Sequence, residues 1–102
     1  MNWQSNRQSE RIHIAVPVRI SGLDLLGQIY DREAWTLDVS RAGASLHIPD
    51  DLHITRKMHV TSSDYQFQAD ADVEVVWERH SPQRAVGVRI QPGTSPASWE
   101  AR

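Results

Sequence analysis

The chain has 102 residues, enough for one small domain and too few for two separate cores. Hydrophobic residues make up 39% and charged residues 24%, which excludes a disordered chain. The absence of cysteine excludes disulfide staples, thiolate zinc sites, iron–sulfur clusters and a cysteine nucleophile. The net charge of −2 argues against a broad basic surface that would grip DNA or RNA by counterion release.

Residues 1–7 lack the apolar core of a secretory leader, and no apolar stretch is long enough to span a bilayer. The expectation is therefore a cytoplasmic protein without membrane insertion. Among the 11 basic residues only Lys57 is a lysine. The arginine bias favours planar forks that grip phosphate bidentately and stack on flat rings.

Residues 1–10 are polar and expected to be a mobile arm. From Ile12 to Ile20 aliphatic side chains recur at every second position, which predicts a half-buried strand with Pro17 on its outer side. After turns around Gly22 and Gly27, a second strand is expected over 28–39, with Trp35, Leu37 and Val39 on one face. Residues 40–43 turn the chain, and Leu46 and Ile48 begin a third strand. Met58 and Val60 begin a fourth. Tyr65, Phe67, Ala69, Ala71, Val73, Val75 and Trp77 alternate through a fifth, with Asp70, Asp72 and Glu74 on a solvated opposite face. Val86, Val88 and Ile90 form the sixth.

Six short alternating strands predict an all-β fold, a small antiparallel barrel over 12–91. The tail over 92–102 carries Ser95 as an N-cap and Pro96 at the first helical position, which predicts a short helix.

Nothing in the sequence points to catalysis. His13, His47, His53, His59 and His80 show no helical metal-ligand spacing and read as surface residues, and no nucleophile elbow or phosphate-binding glycine loop is present. No metal or cofactor is expected.

Two constellations remain: Arg7-x-x-x-Arg11 ahead of the first strand, and Asp38-x-Ser40-x-x-Gly43 at the end of the second. Either alone is unspecific. Together they suit a ligand that carries both anionic groups and a guanine. Arg7 and Arg11 offer fork donors to phosphate and to the guanine O6/N7 edge. Asp38 offers an acceptor for the opposite, donor-rich edge, with the Ser40 hydroxyl beside it. Gly43 lets the backbone turn without a Cβ, and Arg41 is a further phosphate contact.

These motifs, with Val16-Pro17-Val18, Val75-Val76-Trp77 and Val86-Gly87-Val88-Arg89-Ile90 in the same order, resemble the PilZ domain family over residues 7–90. The resemblance implies a six-stranded barrel that acts as a bacterial receptor for the second messenger cyclic di-GMP. By that analogy Arg7, Arg11, Asp38, Ser40 and Gly43 bind the ligand. Trp77 is either a stacking contact at the barrel rim or a core tryptophan continuing the stripe of the fifth strand. Many relatives carry an arginine where this chain has Asn6, which points toward one ligand molecule per site. The signal would pass to a separate, unidentified protein. The alternative within the family is an interaction module that binds no nucleotide.

Overall fold

The computed structural model describes residues 10–102, and Arg7 with the rest of the leading arm lies outside them. Strands β1 (Pro17–Leu23), β2 (Ile29–Val39), β3 (Gly43–His47), β4 (Lys57–Asp64), β5 (Phe67–Arg79), β6 (Ala85–Ile90) and β7 (Ser98–Ala101) account for the regular structure of the described residues. Every pairing is antiparallel, and the order β1-β2-β3-β6-β5-β4 closes through β4 back onto β1. Closure leaves no open edge within the six-stranded barrel.

The barrel fills with alternate side chains, as period-two patterning requires. Val18 and Ile20 from β1, Leu46 from β3, Val60 from β4, Phe67 and Val73 from β5, and Val86 from β6 are buried. The segment 48–56 covers one end with Ile48, Leu52 and Ile54. Arg84, 6% exposed, ties that segment down by donating to the carbonyls of Pro49, Asp50 and Leu52 and to the Glu78 carboxylate. A buried guanidinium with all these acceptors is satisfied; without them it would be expensive.

Several expectations need correction. Strand β3 is Gly43–His47, so Leu46 lies near its end and Ile48 beyond it. Tyr65, 77% exposed, precedes β5 and takes no part in its buried stripe. The ladder of β1 begins at Pro17, not at residue 12. Ahead of it the chain is extended and held by Thr36, whose hydroxyl accepts from the Val16 amide at 2.9 Å and donates to the Ile14 carbonyl at 2.5 Å. On β2, Trp35 faces outward while Val39 is buried, so the two do not share a face. Finally, the tail is strand β7, not a helix. A two-turn helix is marginal in isolation, whereas the extended tail pairs residues 98–101 with β5 residues 67–70. It also packs Trp99 edge-on against Phe67, with ring centroids 5.1 Å apart.

The outer face of β5 is solvated as expected, but its acids are partnered. The two ring nitrogens of His59 each lie 2.7 Å from a carboxylate, Nδ1 from Asp72 and Nε2 from Asp70. These bonds, Asp72 foremost, raise the His59 pKa above 6.5 against the opposing effect of desolvation. A raised folded-state pKa contributes stability that is full below the unfolded value and lost as pH rises through the folded one. Urea midpoints should therefore fall as pH is raised from 6.5 upward, and His59→Gln should flatten that slope. An unchanged slope in the variant would remove His59 as its source.

Candidate ligand-binding face

Two bulges build this face. Along β2 the inward side chains run Tyr30, Ala34, Thr36, and strict alternation would send Asp38 into the core. The register instead shifts between Thr36 and Asp38. Val39 takes the inward place, and Asp38 turns outward opposite Ser45. On β5 the register shifts between Val75 and Trp77, which places Trp77 opposite Gly87. A bulge adds one residue and flips every side chain beyond it. The fifth-strand stripe thus breaks before Trp77, which is 40% exposed and not a core residue.

The result is one row on the outer surface, Asp38–Ser45–Gly87–Trp77, running across β2, β3, β6 and β5. Its middle members are among the smallest residues, and both are buried, Ser45 at 6% exposure. The indole of Trp77 lies against Gly87, where an added Cβ would collide with the ring. On the same face of β6, Arg89 is held by Glu74, with its Nε 2.7 Å from the carboxylate.

Arg11 and Asp38 are brought together. A guanidinium nitrogen of Arg11 donates to Asp38 Oδ1 at 2.6 Å, and Asp38 is the more enclosed partner, 16% exposed against 47% for Arg11. The backbone enforces this meeting. Ile12 and Val39 exchange two hydrogen bonds of 2.8 and 2.9 Å, which fixes the residue after Arg11 to the residue after Asp38.

The rest of the second motif forms the turn into β3. The Ser40 amide donates to the Gly43 carbonyl at 2.8 Å, and its hydroxyl to the same oxygen at 3.3 Å. Gly43 does not adopt a positive φ, so the turn does not demand glycine. The demand comes from across the sheet, where a Cβ at Gly43 would strike the Val88 carbonyl. Arg41 is exposed and lines a cleft of about 520 Å³ with Glu10, Ile12, Ser40, Trp99 and Glu100.

Sequence reasoning missed the contribution of β7 to this region. The Trp99 indole N–H donates to the Ser40 carbonyl at 3.0 Å, so the last strand is bonded directly to the motif turn. It missed Ser45 and Gly87 as the floor of the row as well. A glycine inside Val86-Gly87-Val88 is a signal of close approach by another group.

Chemically, the face combines a carboxylate acceptor, a guanidinium fork and an exposed indole around a floor of small, buried residues. Such a set is chemically suited to a flat heterocycle with hydrogen-bonding edges and anionic substituents. A closed antiparallel barrel with this face is a small-ligand-binding module. The chain belongs to the PilZ family: the PilZ domain model matches residues 5–100. PilZ domains are binding modules of the cyclic di-GMP type. No curated protein matches the chain. No helix among the described residues is long and apolar enough to cross a membrane.

Proposed function

We propose that this protein is a cytoplasmic cyclic di-GMP receptor. Arg7, Arg11, Asp38, Ser40 and Gly43 form its binding site, with Arg41 and Trp77 as further contacts. The single observation that carries the reading is the 2.6 Å pairing of Arg11 with Asp38 on the outer face that also presents Trp77.

In this reading Asp38 accepts from the guanine N1–H and N2–H₂ edge. The Arg7 and Arg11 forks take the phosphates and the O6/N7 edge. The Trp77 indole offers a stacking surface. Output follows from ordering of the leading segment over the bound nucleotide, which creates or hides a surface for a partner protein. Ligand drives such a change only through tighter binding to the ordered form.

Calorimetric titration with cyclic di-GMP tests the proposal. Binding at micromolar affinity or better, one molecule per chain, with weak competition by GMP, is the expected result. Absence of heat with cyclic di-GMP would assign the chain to the interaction modules of the family instead.

A further inference from the structure

Strand β7 stands outside the closed barrel and yet reaches the turn of the second motif. Among the described residues it pairs with β5 alone, over four residues. A short strand held by one neighbour belongs to the low end of local stability and opens without unfolding the barrel. Its tryptophan makes two contacts of different kinds. The Trp99 ring packs edge-on against Phe67, with centroids 5.1 Å apart, and Phe67 is fully buried in the barrel. The indole N–H donates to the Ser40 carbonyl at 3.0 Å.

The rest of the turn is held by the barrel. The Ser40 amide donates to the Gly43 carbonyl at 2.8 Å, and the Ala42 carbonyl accepts from the Ile90 amide of β6 at 2.8 Å. Arg41 therefore lies between two clamped carbonyls, Ala42 fixed by a barrel strand and Ser40 by β7. The Ser40 carbonyl and the Arg41 amide share one peptide plane, so the Trp99 bond sets the direction in which the chain enters Arg41. Arg41 is exposed and enters no ion pair among the described residues. With Glu10, Ile12, Trp99 and Glu100 it lines the cleft of about 520 Å³, so the leading segment, the motif turn and β7 border one space.

We propose that Trp99 is a positioning residue for the nucleotide site, and that docking of β7 and occupancy of that site favour one another. The inference rests on the cyclic di-GMP reading above and adds a residue outside both motifs. Coupling of this kind is reciprocal: if docked β7 tightens the nucleotide, bound nucleotide holds β7 down by the same factor. The element they share is the Ser40–Arg41 peptide. With β7 docked, that peptide is fixed before ligand arrives, and binding is spared the ordering of the turn. With β7 lifted, the Ser40 carbonyl loses its donor and the turn gains freedom. A purely structural Trp99 would act through Phe67 alone, lowering barrel stability without preferring either state of the site.

Hydrogen exchange and calorimetry on the full chain with cyclic di-GMP are the deciding experiments. Exchange at a locally opening strand slows only if the open form binds nucleotide less well. The Ala97 and Arg102 amides donate to the carbonyls of Asp70 and Gln66 and so report on β7. At saturating nucleotide they should exchange roughly five- to tenfold more slowly, and the Trp99 indole proton should slow with them. Trp99→Phe keeps a ring against Phe67 and removes the N–H. Its urea midpoint should stay close to wild type, while its affinity for cyclic di-GMP should fall about three- to tenfold. Equal exchange with and without nucleotide overturns the proposal whether or not the variant folds, and so does wild-type affinity in Trp99→Phe. A chain that binds nucleotide yet shows neither effect overturns this inference alone; a chain that binds none overturns the receptor reading with it.

Discussion

Replacing Asp38 with alanine is expected to weaken cyclic di-GMP binding by roughly 10- to 150-fold, the equivalent of about 1.5–3 kcal/mol for a lost hydrogen bond to a charged group. The substitution acts twice. It removes the acceptor for the guanine donor edge, and it releases the Arg11 guanidinium from the 2.6 Å contact that aims it. Arg11→Ala should cost a similar amount. Arg11→Lys should recover little, since a lysine keeps the charge and loses the fork.

Because the two side chains touch, their effects should not add. The double variant should lose less than the sum of the single losses, a coupling that a calorimetric double-mutant cycle reads directly. Fold stability should fall more in Arg11→Ala than in Asp38→Ala. The first leaves a carboxylate only 16% exposed without its partner, whereas the second frees a guanidinium that is half in solvent. Wild-type affinity in Asp38→Ala would remove residue 38 from the binding site. Simple additivity would mean that the ligand separates the pair, so that each residue acts alone when the nucleotide is bound.

The sequence made the barrel legible because its interior stripes are regular where pairing is regular. Phe67 to Val73 alternate, and the structure buries Phe67, Ala69, Ala71 and Val73 as that pattern requires. The pattern misleads where a strand gains a residue, and also at Tyr65, which is 77% exposed ahead of β5. Val75-Val76 is a readable sign of the break, two adjacent valines that no period of two can place on one face, although Trp77 falls on the parity of the stripe. The β2 bulge left no such mark, since Trp35-Thr36-Leu37-Asp38-Val39 fits either parity. Burial of the threonine rather than the tryptophan follows from the hydrogen bonds of Thr36 to the segment 14–16, which periodicity does not encode.

The tail failed for a related reason. Ser95 and Pro96 are good helix starters, but β6 occupies one side of β5 only from residue 73 onward. The vacant edge at residues 67–70 is a tertiary fact that local sequence does not carry. Arg84 was silent too: an arginine before Ala85-Val86 gives no hint that its guanidinium is roofed by a loop more than thirty positions earlier in the chain.

Two glycine-to-alanine substitutions should separate folding from binding. At Gly43 the new methyl group meets the carbonyl of Val88 and approaches the Cα of Arg89 at 3.2 Å. Both are backbone atoms in a paired strand. Neither can rotate away, so β3 and β6 must splay, and the cost should exceed about 3 kcal/mol, the upper end of ordinary overpacking. That is a large share of the roughly 5–15 kcal/mol that holds a small domain together.

At Gly87 the obstacle is the Trp77 ring, a side chain 40% exposed that can swing outward. The stability cost there should stay near about 1 kcal/mol, offset in part by the reduced freedom of the unfolded chain. The lifted indole no longer lies along the row from Asp38, so Gly87→Ala should weaken cyclic di-GMP binding about as much as Trp77→Ala does. Urea denaturation and calorimetry on the same samples read both quantities. An unfolded Gly87→Ala would mean that the indole is fixed by the barrel rather than resting on it. A Gly87→Ala variant with wild-type affinity, beside a weakened Trp77→Ala, would mean that the indole meets the nucleotide from the swung-out position, with the floor of the row left unused.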